Sequence, residues 1–386
     1  SIEYEIKMKE IEAEIKETLA NEDLPSAVGK IRDYFEQQDR VELNIAVTGE
    51  SGSGKSTIIN AFRGLGDEDE GSAPTDVVET TMKPTAYPYT KYPNVKLWDL
   101  PGIGTPNFKA EEYLKQVEFQ RYDFFIIIAS DRFRECHAHL AAEIVKLKKR
   151  FYFVRSKIDA NIFCLKLQCF FFLGLKRIGV DSPVVFLISG HYLALYDFNH
   201  LQETMEKELP QHKRHVLMLA LPNISLEINE RKKKELQKDI WKLALLSATV
   251  AAVPIPIVNA ALSFTVDAGI LVKELIKYYN VFSLDPASLQ KLAARSGKSV
   301  DELKSVLKSP LHTKINKDLV IKLLTGSTLV AVDAAAEYFL GFLPGLGSIA
   351  AGSLSFAAVY FTLKHCLHGL AEDARKVLIV AVQTSV

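Results

Sequence analysis

Gly49-Glu50-Ser51-Gly52-Ser53-Gly54-Lys55-Ser56 is the stretch on which the reading of this chain turns. Residues 41–48, Val-Glu-Leu-Asn-Ile-Ala-Val-Thr, precede it as a buried strand, and Thr57-Ile58-Ile59-Asn60-Ala61-Phe62-Arg63 follows it as a helix. G-x-x-x-x-G-K-S between a strand and a helix is the signature of a phosphate-binding loop. Its glycines let successive backbone N–H groups converge on a phosphate, at the positive end of the following helix. The candidate phosphate-binding residues are therefore Gly49, Gly52, Ser53, Gly54, Lys55, Ser56 and Thr57. Lys55 would reach the β- and γ-phosphates and contribute to catalysis, and Ser56 would ligate Mg²⁺.

Downstream, residues 64–71 (Gly-Leu-Gly-Asp-Glu-Asp-Glu-Gly) read as an acidic, flexible loop, followed by Thr75, Thr80 and Thr81. A loop here is placed to sense the γ-phosphate, and one threonine would complete the metal shell. Thr81 is the candidate, although spacing alone does not choose between it and Thr75. Residues 95–102, Val-Lys-Leu-Trp-Asp-Leu-Pro-Gly, read as a strand ending in D-x-P-G. Asp99 would hold the metal through water, and the Gly102 amide would meet the γ-phosphate. Ile103 follows at a position where such loops often carry a glutamine that orients the attacking water. Isoleucine cannot do this, so another group has to position that water.

The continuous apolar run at 123–129 suits a central parallel strand. A helix is expected over about 137–149, and then a strand at 151–155 ending in Ser156-Lys157-Ile158-Asp159. These four residues resemble the guanine-reading [TN]-K-x-D, with serine at the first position. The Asp159 carboxylate can accept from guanine N1–H and from the 2-amino group, while the Lys157 stem packs on the base. Adenine lacks both donors, so such a site rejects it strongly. Residues 184–190 form the last expected strand, with Ser189 where a backbone amide meets the guanine 6-oxo group. Together the motifs predict that GTP and GDP bind with Mg²⁺ and that GTP is hydrolysed. The alternation of strands and helices over 43–190 predicts a doubly wound, mostly parallel α/β fold with its ligand loops at the strand C-termini.

Over 386 residues, Lys+Arg and Asp+Glu both number 47, so no charge excess argues for nucleic acid. The four cysteines show no disulfide framework, which suits a reducing cytosol. Cys136-His137-Ala138-His139 offers metal-ligand types but lacks a second ligand pair at suitable spacing, so no metal site is expected there. Residues 161–173 are apolar without a polar face, either buried against C-terminal helices or the product of an aberrant splice. The sequence begins at Ser1, and nothing in it speaks to N-terminal lipidation. From about 200 onward strands give way to helices, expected over 201–209, 224–253 and 257–282, then 318–340, 348–370 and 371–382. Two amphipathic helices are expected before residue 40. The expected domains are 1–40 (N-terminal helices), 41–205 (nucleotide domain) and 206–386 (C-terminal helices). Segments 243–262 and 339–363 approach membrane hydrophobicity, but Pro, Gly or Ser interrupts each. A spanning helix needs ~20 uninterrupted apolar residues, so a buried helix pair is preferred over surface insertion or spanning.

Taken together, I-A-V-T-G-E-S-G-S-G-K-S, V-V-E-T-T-M, V-K-L-W-D-L-P-G-I-G-T, Y-D-F-F-I-I-I and F-Y-F-V-R-S-K-I-D resemble the immunity-related GTPases, an interferon-inducible family. The likeness resumes at Tyr196-Asp197-Phe198, at residues 209–215 and at Glu372-Asp373-Ala374. The resemblance implies a dynamin-like layout, with an all-α domain built from N- and C-terminal segments beside the G domain. It implies GTP-dependent homodimers joined across the nucleotide faces, and a cytoplasmic protein partly associated with intracellular membranes, including vacuoles around pathogens. It also makes Glu79 the match for a switch-region glutamate that helps to activate hydrolysis. The chain departs from the family at 160–178, where a longer polar segment is usual. Two rival expectations remain: a nucleotide-dependent scaffold with little turnover, and a membrane-integrated protein regulated by its G domain.

Overall fold

Strand β1 (Leu43–Gly49) runs through the middle of a six-stranded sheet of order β2-β3-β1-β4-β5-β6. Its partners are β2 (Thr85–Pro88), β3 (Val95–Asp99), β4 (Phe124–Ala129), β5 (Arg150–Arg155) and β6 (Val185–Leu187). The computed structural model describes residues 2–21, 23–75, 83–103, 108–130, 132–160, 172–177, 179–180, 183–249, 253–256, 263–312, 314–326 and 354–382. The chain divides into two compact units, residues 41–222 and residues 1–40 with 223–386.

In the first unit, β1 pairs in parallel with β3 and β4, and β5 and β6 extend the parallel run. Only β2 is antiparallel. All six β4 residues, Phe-Phe-Ile-Ile-Ile-Ala, are buried, as they must be in a parallel strand covered on both faces. Each large apolar side chain buried in this way contributes roughly 1.5–3 kcal/mol relative to exposure. The helices of this unit are α3 (Lys55–Phe62), α4 (Ala110–Gln116), α5 (Glu135–Lys146), α6 (172–177), α7 (Phe198–Glu208) and α8 (Gln211–Ala220). On α5, His137, Leu140, Ala141 and Ile144 are buried, the i, i+3, i+4, i+7 stripe of a helix laid on a sheet.

Several details differ from the sequence reading. The last strand is only Val185–Leu187, and β2, which ends at Pro88, is an additional edge strand where proline's missing N–H does no harm. Helix α8 packs against β1 and β3 and buries Val216, Leu217, Met218 and Leu219. Lys213 at its start pairs with Asp123, just before β4. Those contacts keep α8 with the sheet, so the division falls after Pro222 rather than at 205.

The second unit holds α1 (Ile2–Ala20), α2 (Leu24–Asp39), α9 (Leu226–Gln237), α10 (Ile240–Thr249), α11 (Ala268–Val281), α12 (Pro286–Ser296), α13 (Val300–Lys304), α14 (317–326) and α15 (Leu354–Val382). Asp23 caps α2 by accepting the Ser26 N–H at 3.2 Å, with Pro25 in the first turn where its missing donor costs nothing. Within the stretch 224–253, α9 and α10 are separate helices, broken at Lys238–Asp239. There the Asp239 carboxylate receives the Tyr34 hydroxyl at 3.1 Å and the Lys242 ammonium at 2.9 Å. The pairing makes the buried position of Lys242 tolerable, since an ion removed from water needs a partner. Residues 354–382 form one continuous helix rather than two. A short antiparallel pair, β7 (Val253–Pro256) with β8 (Ser263–Val266), also lies in this unit. Pro254 and Pro256 exclude a helix there and favour extended backbone. Among the described residues no helix is long and apolar enough to cross a membrane. Most of 161–173 and parts of 243–262 and 339–363 lie outside them.

Candidate functional site

The order β3-β1-β4 opens a crevice at the C-terminal edge of the sheet, where the chain leaves β1 in one direction and β4 in the other. The 49–56 loop occupies that edge. A Cβ on Gly49 would lie 2.2 Å from the Ile128 carbonyl oxygen, so only glycine lets the loop pass β4 this closely. Gly52 and Gly54 take left-handed φ of +74° and +88°. With Gly54 as N-cap, no side chain caps α3. The Lys55, Ser56 and Thr57 amides, in its first turn, thus have no acceptor within their own helix and face an anion's position. Lys55 lies back across the loop, donating to Glu50 O at 3.0 Å and Gly49 O at 3.3 Å. The Ser53 hydroxyl is buried inside the loop without a hydrogen-bond partner.

Asp99 ends β3 opposite Val47 and is buried. Its carboxylate and the Ser56 hydroxyl are the hard oxygen ligands that Mg²⁺ takes, so the donor set fits that ion. The D-x-P-G segment is pinned to the end of β1, with Leu100 N–H on Val47 O at 3.0 Å and Ile103 N–H on Gly49 O at 3.2 Å. Ile103 is fully buried in the core with Leu100, Tyr113 and Leu114. Its side chain turns inward, which explains why an apolar residue stands at that position.

Ser156 follows β5, and its hydroxyl donates to the Ser53 carbonyl of the phosphate loop. Serine at the first position of the S-K-x-D motif thus ties the two motifs together. Lys157 holds a left-handed φ of 55°, uncommon for a side-chain-bearing residue and a mark of local constraint. Gly54, Thr57, Ile58, Ser156, Lys157, Asp159, Gly190 and His191 line one cleft of about 170 Å³. Ser189 is buried, its hydroxyl accepting the Tyr192 N–H at 3.1 Å. Gly190 and His191 escaped the sequence reading, although their place directly after Ser189 was the available signal. Residues 64–71 are not a loose loop. Asp67 accepts from Thr57 at 3.2 Å and from Asn60 at 3.0 Å, and Arg63 donates to Gly71 O at 2.8 Å. Thr75 is exposed, and Glu79 and Thr81 lie outside the described residues.

Glu50 brings a further cluster to the loop. Its Oε1 sits 2.9 Å from Arg134 Nε, 3.7 Å from Cys136 Sγ and 3.8 Å from His137 Nε2. The Glu50, Cys136 and His137 ligand atoms lie within 4.8 Å of one another. However, His137 Nδ1 accepts the Arg134 N–H at 3.1 Å, so the neutral ring carries its proton on Nε2. Burial, with Arg134 adding to it, holds His137 neutral by lowering its pKa to about 4. Burial likewise raises the Cys136 thiol's pKa. With Arg134 already neutralising Glu50, the trio braces the phosphate loop against α5 and does not make a metal centre. His139 pairs with Glu135 at 3.6 Å, on an exposed part of α5.

A family model described as interferon-inducible GTPase matches residues 8–380. Interferon-inducible GTPase 5 of Bos taurus is 41% identical over 97% of this chain and 83% of its own length. Interferon-gamma-inducible GTPase 10 of Mus musculus is 36% identical over 98% of this chain and 90% of its own. Interferon-inducible GTPase 1 of Mus musculus is 34% identical over 90% and 84%. Among solved structures, the G domain of the T. maritima FeoB iron transporter aligns over 43% of this chain and 98% of its own. That alignment has 20% identity and a TM-score of 0.29, and the fold assignment rests on the strand order instead.

Proposed function

The chain belongs to the interferon-inducible GTPase family and is a GTPase, and from that premise we propose that GTP binds at the start of α3 and is hydrolysed there in the service of cell-autonomous immunity. The reading is carried by one observation, the cleft that joins Gly54, Thr57 and Ile58 to Ser156, Lys157 and Asp159. The amides of residues 52–57 and the Lys55 ammonium take up phosphate charge, Lys55 leaving the Gly49 and Glu50 carbonyls to do so. Ser56 and Asp99 would hold Mg²⁺, with Thr81 a further candidate. Bound there, the ion supplies charge neutralisation on the phosphate oxygens. Gly102 offers its amide to the γ-phosphate, Asp159 and Lys157 read the guanine, and the Ser189 amide meets its 6-oxo group. Calorimetric titration with GDP and ADP tests the assignment. Binding of GDP alone is expected, and equal affinities would overturn it.

Hydrolysis in this reading is completed by a second copy of the chain. Ile103 is apolar and buried, so the side chain at that position does not orient water. Glu79 is the group proposed to activate water or to position the partner's nucleotide across a face-to-face homodimer. A missing group supplied to a GTPase is worth ~10³–10⁵ in rate. Turnover per molecule should therefore rise with protein concentration. A constant value well above the intrinsic rate would mean one chain carries a complete site, while negligible turnover at every concentration would favour the scaffold reading. Peripheral attachment to intracellular membranes is the third element, and flotation with liposomes under GTP, GDP and apo conditions tests it. Absence of binding in all three would remove it.

A further inference from the structure

Tyr113 stands on α4, outside every nucleotide motif, yet its hydroxyl is the junction between two of them. The ring is buried, 7% exposed, within the core cluster that holds Leu100 and Ile103. Its hydroxyl lies 2.8 Å from Thr48 Oγ1 and donates to the Pro101 carbonyl at 2.9 Å. A carbonyl only accepts, so the direction is forced: Thr48 donates to Tyr113, and Tyr113 donates to Pro101. The chain of bonds therefore runs from Thr48, the penultimate residue of β1 and immediately before Gly49, to the residue immediately before Gly102.

Pro101 C=O and Gly102 N–H belong to one planar, trans peptide unit, in which they point in opposite directions. Gripping the carbonyl therefore aims the amide. Backbone bonds pin Leu100 and Ile103, the residues flanking this unit, to Val47 and Gly49. Neither holds the 101–102 plane itself, and Gly102 has no side chain to hinder its rotation. We propose that Tyr113 is a positioning residue for hydrolysis: its hydroxyl fixes the 101–102 peptide plane so that the Gly102 amide is preset for the γ-phosphate. Burial raises the phenol's pKa above its ordinary value, so the donor persists throughout the neutral range.

This inference rests on the phosphate-loop reading above, and the test separates the two. Tyr113→Phe keeps the ring and removes the hydroxyl, and Thr48→Val removes the upstream donor at nearly constant volume. GDP affinity, affinity for a non-hydrolysable GTP analogue, kcat and melting temperature are measured on the full chain. In Tyr113→Phe, GDP affinity should stay within about twofold while analogue affinity and kcat both fall, by about tenfold between them, the size of losing one buried hydrogen bond. Thr48→Val should move the same quantities in the same direction but less, and Thr48→Ser should restore them. The double variant should be no worse than Tyr113→Phe, because the two hydroxyls act in series. If GDP and the analogue weaken together, or kcat is unchanged in folded protein, Tyr113 is merely structural and the proposal falls. If Tyr113→Phe does not fold, the split between Thr48→Val and Thr48→Ser decides in the same way. A wild-type chain that binds no guanine nucleotide would instead overturn the functional reading and take this inference with it.

Discussion

Gly190→Ala is the sharpest test of the candidate base pocket. A Cβ at Gly190 would lie 2.7 Å from Thr57 Cγ2, about 1 Å inside the usual carbon–carbon contact distance. Thr57 cannot simply turn away, because its hydroxyl donates to Asp67 at 3.2 Å. Rotating it forfeits that bond, about 1 kcal/mol, and any off-rotamer compromise adds ~0.5–1.5 kcal/mol. In the free protein the neighbouring exposed residues, His191, Tyr192, Leu195 and Tyr196, allow the loop to recoil and relieve the overlap. A base seated against Asp159 requires the loop to return, so the cost falls on affinity and little on stability. The sum, about 1.5–2.5 kcal/mol, corresponds to roughly ten- to seventyfold weaker GDP binding. Calorimetric titration of wild type, Gly190→Ala, Thr57→Ser and the double variant reads this directly. Thr57→Ser deletes Cγ2 and keeps the hydroxyl, so the double variant should recover most of the loss. Wild-type affinity in Gly190→Ala, or a double variant as weak as the single, would refute the reasoning.

Three more expectations follow from the same geometry. Asp159→Asn should weaken GTP binding and favour xanthosine triphosphate, at a cost of about 1.5–3 kcal/mol for a bond to a charged acceptor, and unchanged GTP affinity would contradict the base assignment. Lys55→Ala should abolish turnover and most triphosphate affinity, so wild-type affinity by calorimetry would move the phosphate site elsewhere. His137 is held neutral by burial, its pKa lowered to about 4 from the ordinary 6.5. As pH falls between these values the unfolded chain takes up a proton that the folded chain refuses, so stability present above 6.5 is lost on approaching 4. Wild type should lose about 3 kcal/mol relative to His137→Gln across that window. Parallel denaturation curves for the two proteins would show that His137 is not a buried neutral ring.

The nucleotide unit was legible because its signals are local. A phosphate loop is defined within eight consecutive residues by glycine φ angles, one lysine and one hydroxyl, and the all-apolar β4 announces a doubly covered strand. Other features were not legible because they depend on partners far along the chain. Ser156 reaches Ser53 across 103 positions, and Thr48 meets Tyr113 across 65. Period and propensity describe each segment, and neither says which face will meet which neighbour.

From its own residues, then, the sequence determined the groups on offer: a glycine-rich loop with one lysine at a helix start, a carboxylate at Asp159, and a parallel α/β framework with its loops at one edge. Those properties follow from residue type and short-range spacing, and the backbone has little freedom to express them otherwise. Only the tertiary structure decided that Ile103 faces the core, that α8 stays with the sheet, that Glu50 is braced by α5, and that Tyr113 grips Pro101. Each of these depends on the order in which strands assemble and on how the helices then close over them. A side chain's destination is set by the space and polar partners left at that point, which no local pattern encodes.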